Sequence, residues 1–434
     1  MRRIKTWVCC AIVLSFATAA WAQQPSVAKV DAGDTAWVLI SSALVMLMTP
    51  GLAFFYCGMV RRKNVLGTIM HSYILLGLIT VQWVLWGYTL AFGPDVGGVI
   101  GKLTWLGLHG VGAAPNPDYA ATIPHEAFMA FQMMFAIITP ALIFGAVAER
   151  MKFSAMVVFA LLWATLVYDP ICHWVWNVNG WLHKLGALDF AGGTVVHVSY
   201  GISALVCALV LGARRGEKKM EPHNMTLTVL GAGLLWFGWF GFNAGSALAA
   251  NGLAATAFVN THVASASAAL SWTVLEWRLR GKPSLLGAVS GCVAGLVAVT
   301  PAAGFVSVLG ALAIGLIGGA ACYGGVTVKN KFSFDDTLDA FGIHGVGGTV
   351  GALLTGVFCT AAVNVAGANG LFYGGNPLQL MRQAAAVGAT MAYAVVMTWI
   401  LLKAVDLFVG LRVSAEEEEQ GLDWTQHGET GYNM

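Results

Sequence analysis

Charged residues are scarce in this sequence. Only 10% of the 434 residues are Asp, Glu, Lys or Arg, and 58% are hydrophobic, whereas an average soluble domain carries roughly 25% charged residues. So few charges cannot build a water-facing surface, and the composition therefore indicates an integral membrane protein. The net charge of +2 comes from scattered basic residues that form no stripe along which a phosphate backbone could lie, so nucleic acid is excluded as a partner.

Cysteine and histidine spacings typical of metal centres are also missing. The eight cysteines include no C-x-x-C pair, and the ten histidines include no H-x-x-H or H-E-x-x-H. The sequence therefore predicts no metal site, no cofactor and no disulfide framework. Two cysteines lie near the N-terminus, and the dispersed remainder are expected to pack as small apolar residues.

The N-terminus has the pattern of a secretory signal. Three basic residues precede the apolar run WVCCAIVLSFATA, and Ala20 and Ala22 flank Trp21 in the small-x-small arrangement that a signal peptidase accepts. We expect cleavage before Gln23, which makes 1–22 the signal peptide and 23–35 an exported segment. The alternative is an uncleaved first helix, although the run is shorter than the ~20 residues that a span needs. Either interpretation exports the N-terminus.

Long uncharged stretches predict an all-α integral membrane protein with eleven transmembrane helices. Breaks at clusters of Gly, Pro and Asn place them near 36–60, 65–92, 125–147, 153–176, 193–213, 226–247, 253–277, 284–300, 304–327, 340–360 and 383–410. A membrane domain over 36–410 and a C-terminal tail over 411–434 follow. With the N-terminus outside, sixteen Lys and Arg fall in cytoplasmic segments, four outside and three in the signal, which is the positive-inside pattern and makes the tail cytoplasmic.

One spacing occurs twice. Asp189 precedes His197 by eight residues at the start of the fifth predicted span, and Asp336 precedes His344 by eight at the start of the tenth. Because five is an odd number, two copies of five helices enter the membrane from opposite faces. The sequence thus predicts the inverted five-plus-five repeat found in many transporters.

The two histidines lie at membrane depth, where ionisable groups typically mark a pathway or a proton relay. Burial disfavours the imidazolium form, so each neutral ring offers one donor and one acceptor and can pass protons without fixed charge. A hydrogen bond to a neighbouring helix is the plain structural alternative for either ring. An enzyme using these groups as acid and base needs a nucleophile or metal cluster nearby, and none is evident.

Seven stretches, in order, carry a family resemblance: PGLAFFYCGMVRRKNVL, AERMKFS, LDFAGGTVVH, WFGFNAGSAL, GKPSLLGAVSG, DAFGIHGVGG and GLDWTQHGETGYN. From about Asp34 to the C-terminus the chain resembles the ammonium transporter, methylammonium permease and Rhesus family, and within it the bacterial ammonium transporters. The resemblance implies a homotrimer in the bacterial inner membrane, with one pore per subunit for ammonium or methylammonium. It gives no enzymatic activity and links the protein to nitrogen metabolism.

The resemblance also implies roles for individual residues. Phe135 and Phe242 match the outer and inner rings of the family's phenylalanine gate. Trp176 and Ser246 match its external cation-binding site, to which Phe135 also belongs, and Asp189 matches the acidic residue behind that site. His197 and His344 match the paired pore histidines. Phe55 and Tyr56 are candidates for the lower pore.

Simple magnitudes then favour one mechanism. Moving a bare ammonium ion through an apolar pore costs on the order of tens of kcal/mol, whereas removing a proton at pH 7 from an amine of pKa about 10 costs roughly 4 kcal/mol. Cation-π contact at a partly dry site is worth about 2 kcal/mol, or some thirtyfold in concentration. We therefore expect recruitment of ammonium, deprotonation, and passage of ammonia between the histidines. Separate transfer of the proton is left open.

Asp169, His262 and the C-terminal tail lie outside the proposed pathway. Asp169 could add negative potential near the pore entrance or pair with His173, and His262 lies outside any family motif. The tail, by resemblance, packs under neighbouring subunits and binds a trimeric PII-type signalling protein, a match carried by Gly421, Leu422, Asp423, His427, Gly428 and Glu429. A membrane sensor with little flux is an alternative function, which predicts a longer signalling domain after the last span.

Overall fold

The computed structural model describes residues 29–215, 222–332 and 334–432. The predicted signal peptide, 1–22, and the first part of the exported segment lie outside the described residues, as do Lys218 and Lys219.

The described chain is almost entirely helical. Its long helices are α1 Ala32–Met59, α2 Arg62–Phe92, α3 His125–Val147, α4 Phe153–Leu185, α5 Gly193–Leu211, α6 Met225–Ala247, α7 Gly252–Arg280, α8 Leu285–Val299, α9 Val308–Phe332, α10 Phe341–Phe358 and α11 Leu378–Phe408. Within the described ranges, ten of them are long and apolar enough to cross a membrane, and α8, with 15 residues, is shorter. Each helix overlaps one of the eleven predicted ranges.

Minor elements lie between and after the long helices. Strands β1 Asp95–Val96 and β2 Ile100–Gly101 form an antiparallel hairpin in which Val96 pairs with Ile100. The tail forms two short helices, α12 Ala415–Gln420 and α13 Leu422–His427.

Helix starts follow the local sequence. Asp31, Asn224, Asn251 and Ser284 each cap a helix by accepting a hydrogen bond from a backbone N–H of its first turn, which supplies partners that the first N–H groups otherwise lack. Neither α5 nor α10 has such a cap on its neighbouring residue. Both begin instead with a π turn, Gly193–Val198 and Phe341–Gly345, a form that is rare and often functional.

The helix bundle has two ends, which we call the Trp176 face and the tail face. The Trp176 face holds the end of α6, the start of α5 and the Trp176 turn of α4. The tail face holds the start of α10 and residues 411–432. The backbone N–H of Lys152 donates to the Leu411 carbonyl at 2.9 Å, and that of Val413 donates to the Arg150 carbonyl at 3.1 Å, so the end of α11 is fixed beside the turn between α3 and α4.

The tail packs against its own chain at the turn between α1 and α2. Asn64 accepts a hydrogen bond from the Leu422 N–H at 2.8 Å, and the Asp423 carboxylate accepts one from the Gly67 N–H at 2.8 Å. The His427 ring lies edge-on to Phe153 with centroids 4.9 Å apart. Gly421 and Gly428 both adopt positive φ at the ends of the short helices, and the N–H of Glu429 donates to the Asp423 carbonyl at 3.0 Å.

Candidate functional site

The first feature of the site is the Asp189 turn at the start of α5. One carboxylate oxygen accepts the N–H groups of Gly192 and Gly193 at 2.8 and 2.6 Å, and the other accepts those of Thr194 and Val195 at 2.8 and 3.0 Å. Burial raises the pKa of the Asp189 carboxyl, and these four N–H groups partly offset that rise. The carboxylate therefore supplies all the partners that the first turn of α5 lacks.

The backbone around this carboxylate is specialised. Gly192 has φ of +114°, and a Cβ there would lie 2.6 Å from the Val196 side chain, so a residue without a side chain is required. The Asp189 carbonyl oxygen accepts a hydrogen bond from the Trp176 indole N–H at 3.0 Å. The aspartate thus fixes both the first turn of α5 and the orientation of the indole.

The Asp336 turn at the start of α10 repeats this arrangement at the opposite face. Its carboxylate accepts the N–H groups of Ala340, Phe341 and Gly342 at 3.0, 2.9 and 3.4 Å. Burial raises the pKa of Asp336 to about 6, although the nearby Lys329 charge lowers it. Each aspartate therefore caps backbone N–H groups that lie three to six residues after it in the chain.

Four of the predicted residues lie together at the Trp176 face. The Phe135 ring lies edge-on to Trp176, with centroids 5.7 Å apart, and 4.3 Å from the Phe242 ring. Phe135 and Phe242 are buried, and Trp176 and Ser246 are half-buried. The Ser246 hydroxyl donates to the Phe242 carbonyl at 2.8 Å, which leaves its oxygen lone pairs available. This group presents an indole face and a hydroxyl oxygen, both of which attract a cation.

The two predicted pore histidines lie next to each other. The rings of His197 and His344 are 5.6 Å apart at an angle of 33°, and both are buried. Trp239 and Phe242 stack on the His197 ring at 5.5 and 6.0 Å, and Tyr200 lies 4.9 Å from the His344 ring. The aromatic contacts hold both imidazoles without using their nitrogen atoms.

Both imidazole rings line a narrow cavity. Among the described residues, both ring nitrogens of His197 and Nδ1 of His344 have no hydrogen-bond partner. Nine of the eleven side chains lining the cavity are apolar or aromatic, and the other two are His197 and His344. The cavity leaves about 10 Å³ for the centre of a water-sized molecule, close to what one such molecule needs. Buried polar atoms without partners are uncommon, so these nitrogens are available to a small guest.

A backbone contact sets the spacing of the two rings. A Cβ on Gly201 would lie 2.3 Å from the Gly345 nitrogen and 2.5 Å from its Cα. Helices α5 and α10 therefore cross with main chain against main chain, one turn beyond His197 and directly after His344.

The candidates for the lower pore separate. Phe55 lines the cavity, whereas Tyr56 is not part of its wall; the Tyr56 hydroxyl donates to the Leu142 carbonyl at 3.1 Å. Trp239 and Tyr200 were missed by sequence reasoning. Trp239 stands three residues before Phe242 within the WFGFNAGSAL stretch, and that helical spacing places both on one face of α6.

Asp169 and His173 do not form a pair with each other. The Asp169 carboxylate is fully buried and accepts a hydrogen bond from the Gln82 side-chain amide at 2.8 Å. His173 instead contacts the Asp95 carboxylate and the Ala91 carbonyl oxygen, both at 2.9 Å. Although burial raises the pKa of Asp95, the His173 hydrogen bond and the Gly98 N–H bring it below its usual range. These two contacts tie the β1–β2 hairpin to α4.

His262 lies away from the cavity. Its ring is exposed on α7 and packs beside Trp236 and Phe240 of α6, with centroids 5.4 and 6.3 Å apart. It belongs to the outer surface of the bundle.

The chain is similar in sequence and in structure to known proteins. Residues 36–432 match the sequence profile of the Ammonium Transporter Family. The chain is 54% identical over 401 residues to the ammonium transporter of Bacillus subtilis (strain 168), covering 92% of this chain and 98% of that protein. The crystal structure of Saccharomyces cerevisiae Mep2 superposes with a TM-score of 0.84 at 39% identity, covering 90% of this chain and 89% of Mep2. A structure named Sensor Amt Protein superposes with a TM-score of 0.82 at 27% identity over 91% of this chain and 98% of that one.

Proposed function

Because the chain belongs to the Ammonium Transporter Family and is a multi-pass membrane transporter of ammonium, we propose that it recruits ammonium at the Trp176 face, removes a proton, and conducts ammonia between His197 and His344. The observation that carries this mechanism is the narrow apolar cavity lined by both rings, of whose four nitrogens three lack a hydrogen-bond partner.

The cavity dimensions favour a neutral guest. With room for about one water-sized molecule, the cavity cannot hold an ion together with its hydration shell. A bare ion there costs on the order of tens of kcal/mol, and deprotonation at pH 7 costs roughly 4 kcal/mol. Each neutral histidine nitrogen then offers a donor or an acceptor to ammonia, which has both.

Recruitment is assigned to Trp176, Phe135 and Ser246. The indole and phenyl faces attract a cation, and the Ser246 oxygen replaces one water of hydration. The Asp189 carboxylate spends its oxygens on four backbone N–H groups, so it acts on the cation through its charge and by orienting Trp176, not by contact. Phe135 and Phe242 form the gate between this site and the cavity.

The topology we propose has eleven crossings in two inverted sets of five plus α11, with the Trp176 face outside and the tail face in the cytoplasm. Its support is the pair of Asp–His turns at opposite faces and the bias of Lys and Arg toward the tail face. In this orientation the protein lies in the bacterial inner membrane, and 1–22 serve as its signal peptide.

A homotrimer is part of the proposal. A polar side chain facing lipid at membrane depth is costly, and His262 is exposed on α7 beside Trp236. Burial of this surface against a second subunit removes that cost. A PII-type signalling protein is proposed to bind the tail face, where Gly421, Asp423, His427, Gly428 and Glu429 shape the folded tail.

The decisive experiment measures methylammonium uptake and current together. Purified protein in liposomes receives rapid jumps of ammonium, methylammonium or potassium, and the His197→Ala and His344→Ala variants are compared at equal protein content. We expect both variants to lose most uptake and potassium to give no response. Full uptake by either variant contradicts the histidine role, and a potassium current equal to that of ammonium contradicts the apolar passage.

A further inference from the structure

The tail face contains a counterpart of the cation-recruiting group. Asp189 and Asp336 cap equivalent turns, and residues at equal distance from each can be compared. Trp176 stands thirteen residues before Asp189, and Tyr323 stands thirteen before Asp336. Gly192, three residues after Asp189, and Asp339, three after Asp336, both have positive φ, at +114° and +58°. Backbone and aromatic positions thus repeat, but the side chain at the left-handed position differs.

Asp339, which stands where the other turn has Gly192, pairs with a cation. A non-glycine residue with φ of +58° holds a sparsely populated conformation that the surrounding contacts must maintain. The Asp339 carboxylate forms an ion pair with the Lys329 ammonium, which also donates a hydrogen bond to the Asp336 carbonyl at 2.7 Å. At the Trp176 face the corresponding Asp189 carbonyl accepts the Trp176 indole N–H. An alkylammonium group of the protein therefore lies at the tail-face turn.

A second cation covers the aromatic counterpart. The Arg280 guanidinium lies over the Tyr323 ring, 5.9 Å from its centroid, and is paired with Glu276 at 3.6 Å. Tyr323, Arg280, Glu276, Lys329 and Asp339 all line one cavity of about 270 Å³ at the tail face. The Tyr323 ring face and the carboxylates of Glu276 and Asp339 are the groups in this cavity that attract an ammonium ion. Arg280 and Lys329 already contact them.

We propose that Lys329 is a tethered substitute for substrate, which fills the tail-face counterpart of the recruiting site and so makes ammonium recruitment one-sided. The inference rests on the proposed recruitment at the Trp176 face. Lys329 carries the same functional group as methylammonium, and its tether gives it a high effective concentration beside Asp339. Arg280 adds to the effect by covering Tyr323. The substrate class excluded from this cavity is the small primary ammonium ion.

The wild-type protein tests the idea first, without any substitution. In liposomes whose tail face points inward, shown by protection of the tail from added protease, uptake samples the Trp176 face and efflux from loaded vesicles samples the tail face. We expect the half-saturating concentration of methylammonium to be at least about tenfold higher for efflux, a difference of one factor of ten in affinity. Equal values for the two directions overturn the proposal.

Substitution then asks whether Lys329 is the cause. In Lys329→Met the Asp339 carboxylate loses its cation, and we expect the half-saturating concentration for efflux to fall about tenfold while that for uptake changes less than twofold. Lys329→Arg keeps a tethered cation and should retain the wild-type asymmetry. Lys331→Met, in the same last turn of α9 but exposed, is the matched control and should change neither value.

The outcomes separate the two proposals. If wild-type uptake does not saturate, or saturates equally in Trp176→Leu, recruitment at the Trp176 face is wrong. If uptake saturates and depends on Trp176, but Lys329→Met leaves efflux unchanged or shifts both directions together, the tethered-cation proposal alone is wrong. Should Lys329→Met not fold, Lys329→Gln and the wild-type asymmetry give the same decision.

Discussion

The Asp189 turn and the Asp336 turn have the same backbone plan and different surroundings. Both carboxylates cap the π turn that carries a histidine, and both are buried. Around Asp189 the neighbours are Gly192 and an indole, whereas around Asp336 they are Asp339 and the Lys329 ammonium. The caps thus build both helix starts, and in our proposal the neighbouring side chains decide which face accepts a cation.

The largest effect is expected when the capping carboxylates are removed. Asp189→Ala leaves four buried N–H groups without partners, and at about 1–3 kcal/mol each we expect a loss of at least about 4 kcal/mol and little folded protein. Asp336→Ala releases three, one of them bonded at only 3.4 Å, and should lose less. The yield and thermal midpoint in detergent measure this. The exposed Asp118→Ala is the control, and an Asp189→Ala midpoint equal to that of the control contradicts the capping role.

The recruiting aromatic comes next. Trp176→Leu removes the indole face from the proposed cation site. The loss of about 2 kcal/mol should raise the half-saturating methylammonium concentration some thirtyfold with the maximal rate retained. Trp181→Leu, an exposed indole of the same face, should leave it unchanged. Uptake curves decide the matter, and an unchanged affinity in Trp176→Leu shows that the site lies elsewhere.

A smaller effect is expected from protonation of Asp336, measured as a change of stability with pH. The pKa of Asp336 is raised to about 6 from an ordinary 3.8, so between these values the folded state binds more protons than the unfolded state, and stability falls as pH rises. Lowering the pH from 7 to 5 should add about 1 kcal/mol of stability through this group. Asp336→Asn should lose that increment, read as the difference between the wild-type and variant thermal midpoints at the two pH values. Parallel pH profiles for the two proteins contradict it.

The smallest effect is expected at the guanidinium over Tyr323. Arg280 is 54% exposed at its side chain, so its ring contact and its ion pair with Glu276 are each worth at most about 1 kcal/mol. Arg280→Gln should change the thermal midpoint by no more than a few degrees and lower the efflux half-saturation less than Lys329→Met does. A larger efflux effect from Arg280→Gln reverses the assigned order of the two cations.

Part of the site could be predicted from the chain alone. The eight-residue spacing from Asp189 to His197 and from Asp336 to His344 marked the two turns, and the family motifs marked Phe135, Trp176 and Phe242. These signals are local, because helix periodicity and short motifs fix residues within a few turns of one another.

Other features depend on contacts that no local pattern encodes. Asp95 meets His173 from 78 residues away in the chain, which is why Asp169 looked like the nearer partner. A π turn differs from an α turn by one hydrogen-bond register, and the spacing of apolar residues does not distinguish the two. The role of Lys329 appears only once the left-handed backbone of Asp339 is known, since in sequence it is one basic residue at a helix end.

The glycine crossing of α5 and α10 limits how this pore can vary. Because Gly201 meets the main chain of Gly345 directly, adding even a methyl group forces the helices apart and separates the imidazoles. The spacing of the rings is a property of the scaffold and has no side chain through which it can be tuned. Substitutions at Ser246 or Lys329, by contrast, lie away from this crossing and leave the distance between the two rings unchanged.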